Sequence, residues 1–428
     1  MPILIIISIA IVGLAYISDK RWFNPVILFN GTWLIIYALY QLQLFETYPL
    51  DDKTLAILLI QTIAFPFGTF LAYRYRAKYK IKRSSSKRYN NDFSRFELRE
   101  KVFWVLCAIT IVVLIRDEIT IISNLIHGSS FHDIMRMANG KITVEITGPV
   151  NVFLYLFIVH PITGCISPIC ATEFFSNSIK KYYYLVANIV VVALSVAHHG
   201  GRNAMIIFAL SYVLCFAMMG KKIHLSRRVK RIMFLLMLII AILFVIVSSS
   251  RGIEKLGISV YAYIIAAVPL CGIYLSTPAA AIHTFGFFSF RGIFYPLMTV
   301  LNFFGIDSPT AYYNAVILKR YMEDNYVRIG EYHATGINSF LPAGAYFFVD
   351  WGFIGEFIGV MIYGFVVRMI YERYRRSNDK RGLAILLMFN YGLILSFTSF
   401  MFSSYNYAIG LLLVAFLLYK KQRNDQLL

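Results

Sequence analysis

Long blocks of apolar residues constrain this chain more than any other feature of its sequence. Segments such as 55–73, 182–197, 232–247 and 383–402 carry no charged residue, and they approach or reach the roughly 20 residues that a helix needs to cross a bilayer. Hydrophobic residues make up 59% of the 428 positions and charged residues only 15%, which is too little charge for the surface of a soluble domain. The sequence therefore predicts an all-α, polytopic integral membrane protein.

We predict about eleven transmembrane helices in a single membrane domain, residues 1–428. The predicted spans are 2–18, 26–45, 55–73, 102–122, 149–171, 182–198, 204–219, 232–249, 343–370, 383–402 and 406–419. The stretches 260–276 and 292–305 would raise the number to thirteen if both crossed. Because aromatic and small polar residues interrupt them, we favour amphipathic helices lying at the membrane interface.

The net charge of +19 is unevenly distributed along the chain. Eleven lysines and arginines lie in the loop 74–101, and smaller basic clusters follow in loops predicted on the same side. Positive loops mark the cytoplasmic side, so the N-terminus is predicted outside and the C-terminus in the cytoplasm. The long loop 250–342 is then extracytoplasmic, and the basic residues favour contact with anionic membrane lipid rather than nucleic acid.

Cofactor motifs are absent from the sequence. The five cysteines lie in or beside apolar segments without a CxxC pair, which argues against a disulfide framework or a zinc site. The sequence contains no HExxH, GxxxxGK[ST] or GxSxG motif. We therefore predict no metal and no other cofactor.

The first candidate site is the turn Gly200-Gly201-Arg202 between two short apolar segments. Short segments would draw the turn below the outer surface, and the start of the next helix would offer free N–H groups to an anion. Arg202 would add a planar, always charged donor suited to phosphate. The alternative is a simple hairpin cap whose arginine reaches the lipid headgroups.

A second candidate is Arg251, followed by Gly252 at the outer end of the span 232–249. Together with Arg202 it could face one anionic group at the outer leaflet. The alternative is a cation that only complements the carboxyl end of a helix.

A third candidate is the polar stretch 328–338 within the long outer loop. It combines a cation, a carboxylate, an imidazole, a phenol and an amide in the residues Arg328, Glu331, Tyr332, His333 and Asn338. Such a set can bind sugar hydroxyls, and His333 or Glu331 can take a proton from one of them. The alternative is an ordinary polar loop. Arg291, in the same long loop, is a weaker candidate for contact with the substrate.

These motifs give the chain a resemblance to a known family. The Gly-Gly-Arg turn at 200–202, the Arg-Gly pair at 251–252 and the run from Asn338 to Gly355 resemble those of the oligosaccharide repeat-unit polymerases, the O-antigen polymerase (Wzy-type) family. In that run, Asp350 lies among aromatic residues and is followed by Gly352 and Gly355, similar to the family's entry into a late helix. The hydropathy layout is similar over nearly the whole length.

The resemblance implies a bacterial inner-membrane glycosyltransferase that joins undecaprenyl-diphosphate-linked repeat units into O-antigen, capsule or exopolysaccharide. It implies that the diphosphate is bound by Arg202, Arg251 and Arg328. His333 would then be the catalytic base, with Glu331 as the alternative, and further substrate contacts would come from Gly201, Tyr332, Asn338 and Arg291. A chain-length regulator protein would be a partner.

Two other functions fit the same sequence. An O-antigen ligase-like enzyme would use the same donor but a different acceptor. A flippase or other transporter of lipid-linked oligosaccharides is expected to show repeat-related halves and cations deep in a central cavity, whereas here the outer loop dominates.

Overall fold

The computed structural model describes residues 1–44, 46–78, 96–126, 149–176, 181–199, 203–219, 256–331, 336–377 and 379–421. Its helices are α1 (Pro2–Ser18), α2 (Pro25–Gln41), α3 (Asp52–Lys78), α4 (Glu100–Ile126), α5 (Pro149–Leu154), α6 (His160–Ser176), α7 (Tyr182–His199), α8 (Asn203–Met219), α9 (Leu256–Ile265), α10 (Ala267–Leu275), α11 (Arg291–Phe303), α12 (Thr310–Asp324), α13 (Ala343–Ser377), α14 (Lys380–Ile394) and α15 (Tyr405–Leu412). Shorter helical turns lie at Tyr155–Val159, Pro278–Ala281, Leu395–Phe397, Met401–Ser403 and Leu413–Leu417. Two strands, β1 (Phe96–Leu98) and β2 (Tyr419–Lys421), form an antiparallel pair.

Each predicted span within the described residues contains a helix, and the span 232–249 lies outside them. Four of the described helices are long and apolar enough to cross a membrane: Asp52–Arg76, Val150–Ser176, Ala343–Ser377 and Lys380–Phe397. Shorter apolar helices lie at Pro2–Ser18, Pro25–Gln41, Tyr182–His198, Asn203–Met219 and Tyr405–Leu417. These helices support a membrane-embedded, helical protein, while the number of eleven crossings remains a prediction.

The chain divides into two compact units. Unit 1 contains residues 1–90, 255–376 and 389–404, and unit 2 contains residues 91–254, 377–388 and 405–428. Of the candidate residues, Arg291, Arg328, Glu331 and Asn338 belong to unit 1.

Helix α13 in unit 1 is not one straight rod. Its backbone leaves helical geometry at Trp351 and at Gly352, where φ is +68°, a value that glycine adopts without steric cost. Phe347 and Gly359 would be about 18 Å apart along a straight helix, yet a Cβ atom on Gly359 would lie 2.3 Å from the Phe347 ring. Residues 343–350, here called the half-helix, therefore pack against the segment after Gly352. This reversal differs from the predicted single span over 343–370.

Glycines bring α3 and α13 into backbone contact within unit 1. A Cβ atom on Gly68 would lie 1.9 Å from the carbonyl oxygen of Met361, and one on Gly364 would lie 2.2 Å from that of Phe65. Helices in membranes use small residues in this way to increase packing contact. The close approach fixes α13 beside α3 and so positions the half-helix.

Loop contacts in unit 1 join segments that the charge pattern predicts on the same side of the membrane. Asp19, after α1, accepts hydrogen bonds from the Tyr371 hydroxyl at 2.9 Å and the Arg375 guanidinium at 3.4 Å. Thr47, before α3, forms a β-bridge with Gly330 in the long outer loop. The contacts agree with the predicted relative sidedness, and the absolute orientation stays a prediction.

Unit 2 is organised around α6, which packs against α15. A Cβ atom on Gly164 would lie 2.4 Å from the carbonyl oxygen of Asn406, so glycine is required for this close approach. Near the other end of α6, the buried carboxylate of Glu173 pairs with Lys380 at 2.8 Å. The β1–β2 pair joins the residues before α4 to those after α15, two segments predicted on the cytoplasmic side.

The two additional apolar stretches behave differently in the structure. Helices α9 and α10, over the predicted stretch 260–276, bury most of their side chains inside unit 1, including Ile265, Val268 and Cys271. This burial differs from the predicted amphipathic helix lying at the interface. Helix α11, over the stretch 292–305, buries Gly292, Pro296 and Met298 while Ile293 and Leu297 are exposed, as expected of an amphipathic helix.

Candidate functional site

The segment before α11 is fastened to the half-helix by one carboxylate. Asp350 is fully buried and accepts hydrogen bonds from the Thr284 hydroxyl and from the backbone N–H groups of Phe288 (3.2 Å) and Ser289 (2.9 Å). The Phe288 ring also stacks on Tyr346 with the ring centroids 4.6 Å apart. The acid within the aromatic run thus holds the loop that leads into α11.

This loop places Arg291 at the first position of α11. The next residue, Gly292, lies so close to the carbonyl oxygens of Phe402 and Ser404 that a Cβ atom would be 2.5 Å from each. The guanidinium of Arg291 lies 5.0 Å from the centre of the Tyr295 ring. A cation at the amino end of a helix is electrostatically unfavourable, so this position points to a role other than helix stabilisation.

Lys319 approaches the same region from the buried face of α12. It is 8% exposed, and its ammonium lies 3.3 Å from the Glu323 carboxylate and 3.4 Å from the Ser339 hydroxyl. Burial opposes the charge of Lys319, but the Tyr346 hydroxyl and the Glu323 carboxylate outweigh it and raise the pKa of Lys319 above the usual lysine value. The lysine is therefore charged at neutral pH.

We call Arg291, Lys319, Glu323, Ser339 and Tyr346 the cationic cluster. Arg291 is close enough to Lys319 and Glu323 to act on the pKa of both. Two polar atoms of the cluster, Arg291 Nε and the fully buried Tyr346 hydroxyl, have no hydrogen-bond partner in the described part of the chain. Buried polar groups normally have partners, so these atoms are available to a ligand, and the surplus cation favours an anionic one.

An apolar cleft of about 490 Å³ has Phe400 in its lining, and the centre of the Phe400 ring lies 6.3 Å from that of Tyr346 in the cationic cluster. Phe290, the residue directly before Arg291, lines the cleft together with one face of α13 and the turn near residue 400, including Phe347, Trp351, Ile358, Ile362 and Phe402. A cation beside an apolar cleft suits an amphiphile with an anionic head and a hydrocarbon chain.

The structure brings two of the predicted residues to this region. Arg291 belongs to the cationic cluster, and the Asn338 side-chain amide donates to the backbone carbonyl of Glu323. Asn338 therefore supports the end of α12 beside the cluster.

Two other predicted residues lie on a separate hairpin. Val327 and Ile337 exchange two backbone hydrogen bonds of 2.9 Å, and Arg328 and Glu331 are exposed on the loop between them. The Glu331 backbone N–H bonds to Glu46, and the Arg328 side chain forms no ion pair with any described residue. The structure does not bring either side chain into the cationic cluster.

The remaining candidates, Gly201, Arg202, Arg251, Tyr332 and His333, lie outside the described residues. Helix α7 ends at His199 and α8 begins at Asn203, so residues 200–202 fall between two described helices. The proposed functions of these five residues stay predictions.

Sequence reasoning missed Lys319 and Tyr346 as site residues, and it noted Asp350 only within the run that resembles the polymerase family. The signal for Lys319 was present, since it falls at helical spacing with the apolar residues Tyr312, Ala315 and Met322 and so on the buried face of an amphipathic helix. Treating 250–342 as a loop concealed this periodicity. Asp350 stood out as a single acid in an aromatic run, and nothing in the sequence identified its partners.

The ion pair in the cluster predicts a small dependence of stability on pH. Burial opposes the Glu323 charge, but Lys319 and Arg291 hold the pKa of Glu323 below its usual 4.5, so the pair stabilises the fold above that range and the effect is lost as the pH falls through the folded-state pKa. Because the side chain is about half exposed, we expect at most about 1 kcal/mol. Thermal unfolding of wild type and Glu323→Gln should differ at pH 7 and converge in acid; a difference that persists at pH 2 would contradict this.

Comparisons of the chain with known protein families, with curated proteins and with solved structures give no match.

Proposed function

We propose that this protein is a glycosyltransferase that polymerises undecaprenyl-diphosphate-linked oligosaccharide repeat units at the outer face of the bacterial cytoplasmic membrane. The observation that carries the proposal is the cationic cluster, with Arg291 and Lys319, beside an apolar cleft lined by Phe290 and α13. A lipid diphosphate has the matching chemistry, an anionic head on a long hydrocarbon chain. The resemblance to repeat-unit polymerases specifies the reaction.

In the proposed reaction a sugar hydroxyl of one lipid-linked unit attacks the anomeric carbon of the growing chain. The bond between that carbon and the diphosphate oxygen breaks, and its electron pair stays on the departing lipid diphosphate. The hydroxyl proton passes to a base, for which His333 is the first candidate and Glu331 the alternative. Fixed cations stabilise the charge that grows on the leaving oxygen, which is often the largest single contribution to catalysis.

We propose Arg291 as a diphosphate contact in addition to the three arginines predicted from the sequence. Arg291 becomes the principal contact, because its Nε is buried without a partner among the described residues and Lys319 adds a second positive charge. Arg202, Arg251 and Arg328 remain proposed as further contacts. The donor is already activated by its diphosphate, so the proposal includes no cofactor, and a chain-length regulator protein is a proposed partner.

The test is surface polysaccharide profiling in a host deleted for this gene and complemented with variants. Arg291→Ala should reduce long chains on the order of 10–100-fold, the loss expected for one charge-assisted contact in the transition state. Arg291→Lys should recover little, because a point charge does not reproduce the guanidinium fork. Arg21→Ala, which removes an exposed cation on the predicted cytoplasmic side of unit 1, is the matched control and should retain wild-type chains.

The form of the defect distinguishes the three functions. Single repeat units still delivered to the surface support the polymerase. Capped polymer accumulating outside on its lipid supports the ligase-like enzyme, and lipid-linked units trapped in the cytoplasmic leaflet support the transporter. Wild-type chain length from Arg291→Ala, at equal membrane levels, would remove the cationic cluster from the reaction.

A further inference from the structure

The membrane-embedded part of unit 1 contains a carboxylic group without a partner. Glu356, on α13, is 0% exposed, and neither of its carboxylate oxygens has a hydrogen-bond partner within the described chain. An ionised carboxylate in such surroundings is strongly destabilising unless a cation or several donors compensate it. An ionisable residue inside a membrane protein is also a candidate for a functional role.

The expected compensating cation is engaged elsewhere. Arg368, a basic residue on the same helix, pairs with Glu372 at 2.7 Å and forms no ion pair with Glu356 among the described residues. The titratable groups that interact electrostatically with Glu356 from neighbouring helices are the Tyr37 hydroxyl on α2 and the Cys271 thiol on α10. Neither supplies positive charge at neutral pH.

A polar partner for a protonated Glu356 lies on α3. A Cβ atom on Gly344 would be 2.6 Å from Glu356 Oε1 and 3.0 Å from Gln61 Oε1, so the two side chains meet at the start of the half-helix. Gln61 Oε1 already accepts from the Gly344 N–H at 3.1 Å. A carbonyl oxygen has two lone pairs, and the second can accept a hydrogen bond from the acid form of Glu356.

The position of Gln61 along α3 gives the depth of Glu356. The Thr54 side chain lies within hydrogen-bonding reach of the Cys271 thiol on α10, and the Thr54 N–H bonds to Asp51 Oδ1 at 3.2 Å. Asp51 and Gln61 are ten residues apart, about 15 Å along a helix, or half the roughly 30 Å hydrocarbon core. If Asp51 lies at the outer boundary of the hydrocarbon core, as the predicted span implies, Glu356 is expected near the middle of the membrane.

We propose that Glu356 is a proton-binding site in the membrane core, occupied at neutral pH as a carboxylic acid that donates to Gln61. This proposal is independent of the polymerase reaction, because it concerns no group of the cationic cluster.

Infrared spectroscopy of the full-length protein in lipid nanodiscs tests the proposal directly. The wild type at pH 7 should show the carbonyl band of a protonated carboxyl group, and Glu356→Gln should lose it. Glu372→Gln is the matched control, because Glu372 lies on the same helix but is paired with Arg368, and this variant should keep the band. Circular dichroism of each variant confirms that the helical fold is retained.

Two outcomes would overturn the proposal. If Glu356→Gln removes an ionised-carboxylate band instead, Glu356 is charged at neutral pH. If the protonated band is present in potassium buffer and disappears on adding sodium, the site binds a metal cation in place of a proton. Loss of the band only above pH 7, with or without sodium, supports the proton site.

Discussion

Replacing Asp350 by alanine is expected to lower the free energy of unfolding by about 3–5 kcal/mol, because the buried carboxylate is the acceptor for three donors and each one left unpaired costs about 1–3 kcal/mol. The donors, from Thr284, Phe288 and Ser289, hold the segment that leads into α11. Without them Arg291 should lose its fixed position, so binding of a lipid diphosphate should weaken as well. Thermal unfolding in detergent measures the first effect.

Two variants control this experiment. Asp350→Asn keeps the shape and one acceptor oxygen and should fall between alanine and wild type. Asp307→Ala removes an exposed acid from the same outer segment and should change stability by no more than about 0.5 kcal/mol. If Asp350→Ala unfolds at the wild-type temperature, the carboxylate is not what fastens this loop.

Replacing Gly364 by alanine should cost about 2–3 kcal/mol, within the range for overpacked interiors. The added carbon would lie 2.2 Å from the Phe65 carbonyl oxygen, and backbone cannot yield as a flexible side chain can. Helices α3 and α13 would have to separate. The measurement is again the unfolding transition in detergent, at matched protein and detergent concentrations.

The control glycine lies in α1. No atom comes within 4 Å of a Cβ atom on Gly13, so Gly13→Ala should be neutral or stabilise the helix by up to about 1 kcal/mol. The two substitutions are chemically identical and are expected to have opposite signs. Equal effects would show that helix propensity, and not the contact between α3 and α13, decides the result.

The apolar blocks were sufficient to predict the described helices within the proposed spans, because uncharged stretches of about 20 residues favour membrane helices. Helix α12, Thr310–Asp324, lies in a stretch that was predicted as a loop. The reversal at Gly352 was not predictable in the same way. The residues on both sides, Phe348 and Ile354 among them, are equally apolar, and only the backbone angles of Trp351 and Gly352 separate a continuous helix from a folded one. The hydropathy of the segment carries no information about these backbone angles.

The candidate site was only partly predictable from the sequence. Arg291 was identifiable as a cation in an outer loop, but its neighbours Lys319 and Tyr346 come from other helices, and tertiary packing brings them together. From the sequence alone, the exposed hairpin with Arg328 and Glu331 was the stronger candidate site, because its polar residues are adjacent in sequence. Polar residues that are adjacent in sequence usually lie in exposed loops. A buried site is instead formed by single residues from helices that are far apart in the sequence.

The half-helix 343–350 takes part in three separate contacts. Gly344 packs against Glu356, Tyr346 belongs to the cationic cluster, and Asp350 binds the loop before α11. A displacement of this segment therefore changes all three together. If occupancy of Glu356 by a proton alters ligand affinity at Arg291 by some factor, thermodynamic reciprocity requires the ligand to alter proton affinity by the same factor. The local acidity at the outer membrane surface would then act as an allosteric effector of this protein.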